Sequence, residues 1–122
     1  MIDPLSVEWK ATQVDFEGVD IKMIQFDATI ELKEGRTKQQ VFDFTKYMIG
    51  WCNERFALGT TPEEVQAGGF WNVNVFYTGI HNVKIEASGL DIQPVANETY
   101  NVLISMGPEF AMQFRLTWGL KV

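Results

Sequence analysis

Little in this chain points to chemistry by residue type. Its 122 residues include one cysteine, Cys52, and one histidine, His81. A single cysteine excludes an intrachain disulfide. One cysteine and one histidine cannot supply a structural zinc site, and no Asp/Glu run has the spacing of a calcium loop. No apolar stretch approaches the ~18 residues of a membrane span. The opening MIDPLSVEWK has no basic region followed by an apolar run, so no signal peptide is expected. Positive charge is scarce: 10 Lys+Arg stand against 16 Asp+Glu, a net charge of −6, with a pI near 4.7. Phosphate backbones and anionic membranes both call for a basic face, so neither nucleic acid nor membrane is an expected partner. Gly68-Gly69 follows a helical stretch with no Lys-Ser/Thr after it, so it is not a phosphate loop, and no serine sits in a nucleophile-elbow pattern. The expectation is therefore no cofactor, no metal and no catalytic residue, in a protein of the cytoplasm or of a virion.

What the chain does contain is apolar and aromatic: 46% hydrophobic, 13% aromatic, and only 21% charged. That composition is globular, without a disordered tail. The length predicts a single domain over residues 1–122, able to bury about two-thirds of its unfolded surface without staples. Asn97-Glu98-Thr99 is formally a glycosylation sequon and reads as a turn.

One long helical pattern stands out, from Thr37 to Gly59. Thr37 with Gln40 three residues on is a capping box, and Gly59 is placed to close the C-terminus in a left-handed conformation. The apolar positions, from Val41 to Leu58, sweep an arc of roughly 220° at ~100° per residue. A surface helix needs a stripe of little more than ~100°, so this helix (about 38–58) is expected to touch protein on two sides. A second, short helix starts at Thr61-Pro62 with Glu64 three residues after the cap, and ends at Gly68-Gly69.

The rest alternates as strands do. Ser6 to Val14 carries Val7, Trp9 and Ala11 on one face. Val19 to Leu32 changes phase between Met23 and Ile24, which predicts a β-bulge near Lys22–Ile24. Phe70 to Thr78, Ile80 to Ala87, a short stretch from Leu90 to Gln93, and Tyr100 to Met106 follow. The cleanest alternation is the last, with Phe110, Met112, Phe114, Leu116, Trp118 and Leu120 on one side. The fold class read from this is α+β: an antiparallel sheet, sandwich or partial barrel of about six strands, with the long helix inserted after the second strand.

Few residues invite a functional role. Cys52 falls in the apolar arc with nothing spaced to activate it and reads as an inert thiol. His81 reads as structural, although a Cys52–His81 pair would make a thiol nucleophile. Asp27 and Glu31 share a strand face with Thr29 between them. They read as a solvated face more readily than as an acid–base pair. Arg55 lies inside the apolar arc near Trp51, where snorkelling is the plain reading and an interface anion contact the sharper one. Phe70, Asn72, Asn74 and Phe76 form a mixed aromatic and amide face of the kind found at interfaces. Together with Phe44, Tyr47, Trp51 and Arg55 they make up the expected interface.

Three functions follow as expectations. The first is a non-enzymatic assembly protein that binds protein, chiefly itself, as structural subunits of viruses and phages do. The second is a small acidic inhibitor or immunity-type protein for a basic partner, which predicts that Asp15, Glu17, Asp20, Asp27 and Glu31 gather on one face. The third is a pocket for a small apolar ligand, or an enzyme built in one, lined by Trp51, Trp71, Tyr77 and His81.

Overall fold

The computed structural model describes residues 2–16, 18, 20–33, 35–78, 81–86, 89–94 and 98–118, with 81–86 and 89–94 described as backbone. The chain is α+β. A 3-10 turn at Pro4–Ser6 leads into strand β1 (Glu8–Asp15), which turns back into β2 (Lys22–Glu31). Helices α1 (Lys38–Arg55) and α2 (Pro62–Gln66) follow, then β3 (Trp71–Tyr77), the hairpin β4 (His81–Glu86) and β5 (Gly89–Pro94), β6 (Thr99–Met106) and helix α3 (Pro108–Trp118). A four-stranded sheet has the order β1-β2-β6-β3 and is antiparallel throughout. Among the described residues β4 and β5 pair only with one another. Of the expected antiparallel sheet, sandwich or partial barrel of about six strands, the described residues show an open antiparallel sheet of four strands with helices packed on it, and β4–β5 as a separate pair.

Alternation sorts the sheet into two faces. Phe26, Ala28 and Ile30 of β2 and Tyr100, Val102, Ile104 and Met106 of β6 are buried beneath the helices, joined by half-buried Trp9, Ala11, Trp71, Val73 and Val75. Asp27, Thr29, Asn101, Asn72 and Asn74 lie on the other face, which no helix covers among the described residues. The β1–β2 register runs without interruption from Glu8↔Thr29 to Asp15↔Lys22, so there is no bulge. Ile21 precedes the strand, and the change of phase falls at the strand's mouth, where no ladder is broken.

α1 starts as its sequence predicts. The Gln40 N–H donates to Thr37 Oγ1 at 3.3 Å, and the Thr37 N–H donates to Gln40 Oε1 at 2.9 Å. It ends earlier than Gly59. Phe56 leaves the helix in an extended conformation while its N–H still donates to the Cys52 carbonyl at 2.8 Å. The reason is tertiary. The Phe56 ring stacks on Phe110 at 4.4 Å, and its carbonyl accepts from Trp71 Nε1 at 3.2 Å. Gly59 instead allows close approach. Its N–H donates to the Gly69 carbonyl at 2.7 Å, and a Cβ there would meet the Glu64 Cβ at 2.8 Å. α2 has the expected cap, with the Glu64 N–H donating to Thr61 Oγ1 at 3.2 Å, and closes at Gly68 with φ 103°.

The largest departure is the C-terminal segment. Phe110 to Trp118 is helix α3, not a strand. Phe110, Phe114 and Trp118 recur every four residues, so the same sequence satisfies a helical stripe as well as an alternating one. Packing decides between them. Ala111 and Phe114 are buried, whereas Met112 is 64% exposed and Leu116 79% exposed. Phe114 lies stacked on Phe26 at 4.6 Å and edge-on to Trp9 at 5.5 Å and Trp51 at 5.6 Å. It is the point where β1, β2, α1 and α3 meet. Pro108 in the first turn and Glu109 beside it are the local start signals.

Candidate interaction surfaces

The expected interface residues divide between core and surface. Phe44 is fully buried against Trp9, and Trp51 is buried beside Phe114, so both hold the monomer together. The buried residues of α1 are Val41, Phe44, Thr45, Met48, Trp51 and Cys52, a single stripe. Part of the surplus apolar arc is taken up by neighbours: Phe42 meets Tyr100 edge-on and Tyr47 meets Trp118. Tyr47, Trp51 and Arg55 do come together, lining a shallow groove of about 280 Å³ with Gly50 and Glu54. There the Arg55 guanidinium lies 4.6 Å from the Trp51 ring centroid and 3.9 Å from the Glu54 carboxylate. This is the snorkelling arrangement, its charge at the surface and its stem on the ring.

Asn72, Asn74 and Phe76 are exposed on the uncovered face of β3, and Phe70 just precedes the strand and is half-buried. The backbone of β3 completes the picture. The Thr78 N–H donates to Thr99 and the Gly107 N–H to Phe70, both across the β3–β6 ladder. In an antiparallel pair the inward-bonding residues alternate. Even-numbered residues of β3 therefore bond to β6, and the N–H and C=O groups of Trp71, Val73, Val75 and Tyr77 point out from the sheet edge. Among the described residues no backbone group bonds to them. The two edges of the sheet differ in kind. β1 carries Glu8, Lys10 and Asp15, whereas β3 reads Trp-Asn-Val-Asn-Val-Phe-Tyr, with no charge and no proline. Exposed edge strands in natural proteins are usually blunted by charge, proline or a bulge.

The uncovered face also carries a hydrogen-bonded row. Thr78 Oγ1 donates to Asn101 Oδ1 at 2.6 Å, and Asn101 Nδ2 donates to Asp27 Oδ1 at 2.8 Å and Thr29 Oγ1 at 3.1 Å. Asp27 is thus tied to its sheet neighbours. Glu31 shares its face, about 13 Å further along the strand at ~3.3 Å per residue, and pairs with Lys33 at 3.4 Å. Asp15 pairs in register with Lys22 at the opposite end of β2, and Asp20 lies near that end, while Glu17 falls outside the described residues. The acidic positions are therefore spread along the sheet.

Of the residues expected to line one apolar pocket, Trp71 and Tyr77 lie apart. Trp71 bonds to Phe56 near the end of α1, and Tyr77 lies six residues away at the other end of β3. The side chain of His81 is outside the described residues. Burial pushes the Cys52 thiol up to about 12, against a smaller opposing pull from Arg55, so it stays protonated near neutrality. Among the described residues no group of three or more His, Cys, Asp and Glu is placed to hold a metal ion, and no helix is long and apolar enough to cross a membrane.

One groove was not anticipated from sequence. Lys38 and Phe42 of α1, Val75 and Tyr77 of β3, and Glu98 and Tyr100 at the start of β6 enclose about 510 Å³ at the hairpin end of the sheet. Its two tyrosines face each other across the ladder at 5.0 Å, and the Tyr100 and Phe42 rings meet at 6.2 Å and 70°. Nothing in the sequence pairs residues 77 and 100, because that register depends on the intervening hairpin. No family model, curated protein or solved structure matches this chain.

Proposed function

We propose that this chain is a non-enzymatic assembly protein that associates with itself through the free edge of β3, in the manner of a structural subunit such as those of viral and phage particles. The observation that carries the reading is the contrast between the two edges of the sheet: β1 is charged, and β3 is seven residues of amide, β-branched and aromatic side chains with outward backbone donors and acceptors. Pairing with a second copy satisfies those groups and extends the sheet. The exposed rings of Phe76 (49%) and Tyr77 (42%) sit on the same edge and add apolar area.

The register of that pairing follows from parity. Outward-pointing residues of one strand must oppose outward-pointing residues of the other, and full overlap of seven residues places the two-fold axis at Asn74. Val73 then faces Val75 of the partner subunit, and Asn74 faces Asn74 of the partner subunit. The test is mass by light scattering over a concentration series, for the wild-type chain and for Asn74→Lys. Wild type is expected to reach at least twice its 13.9 kDa mass. Asn74→Lys, exposed and so tolerated by the fold, sets like charges directly opposite and returns the chain to monomer. A wild-type chain that stays monomeric at high concentration, or a variant that assembles as readily, refutes the reading.

A further inference from the structure

We propose that the groove between the first turns of α1 and the hairpin end of the β3–β6 pair is a binding site for an organic cation of the alkylammonium class. Three aromatic rings line it. Tyr100 is buried at its base, Phe42 stands edge-on to it, and Tyr77 tilts against it at 53° from the other side. Ring faces carry negative quadrupole density, and a methylated ammonium, weakly hydrated and close to a ring in size, is the cation that gains most from them. At the rim stands the Glu98 carboxylate, which lines the groove together with Tyr77. The groove therefore combines aromatic walls with a carboxylate at its rim.

A second observation is that a cation already stands beside one of these rings. The chain's own Lys38 ammonium lies 5.7 Å from the Phe42 ring centroid and lines the same groove. It is tethered at the start of α1, so it reaches the rim and one ring without occupying the whole volume. A free cation competes with it. The volume, about 510 Å³, lies within the ~300–1,000 Å³ range of small-molecule sites. The net charge of −6 raises the local concentration of any cation. Partial desolvation, and then the neighbouring carboxylate, hold the Tyr77 phenol above its ordinary value.

The test uses the intact chain labelled with nitrogen-15 and two probes of nearly identical shape: choline, and its neutral carbon analogue 3,3-dimethylbutan-1-ol, at fixed ionic strength. Choline is expected to shift the amide signals of Lys38, Phe42, Tyr77 and Tyr100 saturably, and the neutral analogue to bind about three- to thirtyfold more weakly. Tyr77→Leu keeps the apolar bulk and removes a ring, and Glu98→Gln removes the charge. Both sites are exposed, and both variants weaken choline binding by about threefold or more. Lys38→Gln removes the internal competitor and tightens it. Equal binding of the two probes, shifts scattered over the molecule, or indifference of choline binding to Tyr77→Leu and Glu98→Gln overturns the proposal.

Discussion

Because Phe110–Trp118 is helical, Phe114 and Leu116 differ sharply in what each contributes to stability. In a strand, Phe114 and Leu116 share a face and are buried together. In the helix they are separated by about 200° at ~100° per residue. Phe114 is fully buried among Trp9, Phe26, Trp51 and Trp118, while Leu116 is 79% exposed. Phe114→Ala removes a ring from the junction of four elements that cannot all collapse into the gap, and about 3–5 kcal/mol of stability is expected to go with it. Leu116→Ala removes little buried area and improves helix propensity slightly, so its effect stays within about 0.5 kcal/mol of zero. Urea unfolding followed by tryptophan fluorescence reads both. With a slope of about 2 kcal/mol per molar, the Phe114→Ala midpoint falls by roughly 1.5–2.5 M and the Leu116→Ala midpoint barely moves. A chain of this size holds about 5–15 kcal/mol in total, so Phe114→Leu, with its smaller loss, keeps the series measurable if the alanine variant fails to fold. Comparable losses at positions 114 and 116 would refute the helix and restore the strand.

Gly107, at the junction of β6 and α3, has no room for a side chain, because an added Cβ overlaps the Gly68 carbonyl. Gly107→Ala is expected to cost about 2 kcal/mol or more, read as a lowered thermal midpoint, whereas Gly50→Ala on the open side of α1 meets nothing within 4 Å and is expected to stabilise slightly. The Cys52 thiol is raised from 9.0 in the exposed state to about 12 in the fold. The native state thus keeps its proton longer than the unfolded chain, so this group's contribution is intact below about 9 and is lost progressively as pH rises toward about 12. Comparing the urea midpoint at pH 8 and pH 10 for wild type and Cys52→Ala isolates that loss: the variant's midpoint is expected to fall less. Identical falls would show that the thiol does not take part.

The features of this fold that could be read from the chain are those whose energetics are local. The Thr37–Gln40 capping box and the Thr61-Pro62 start involve groups within three or four residues of each other, and both appear as read. The buried face of β2 is set by a period of two that any antiparallel sheet imposes, and Phe26, Ala28 and Ile30 obey it. Composition likewise confines chemistry, since one histidine and one cysteine limit what any site can contain. The residues expected at an interface divide in their burial. Asn72, Asn74 and Phe76 are exposed on one strand face as their alternation requires, but Phe44 and Trp51 belong to the core, because an apolar arc does not say which of its sectors α3 and the sheet will claim.

Tertiary structure decided what the local patterns left degenerate. Phe110, Phe114 and Trp118 satisfy both periods, whereas Met112 and Leu116 fit only the alternating one. The helix wins because only that geometry drives Phe114 into the gap beneath Trp9 and Trp51 while leaving Met112 and Leu116 in water. α1 stops at Arg55 instead of at Gly59 because the Phe56 ring and carbonyl find Phe110 and Trp71, partners more than 10 residues away in the chain. The order β1-β2-β6-β3 places β3 at an edge, and with it the outward backbone groups and the Phe42–Tyr77–Tyr100 groove. Each of these depends on contacts between distant residues, whose free energy is not expressed in any window of sequence and appears only once the helices have packed on the sheet.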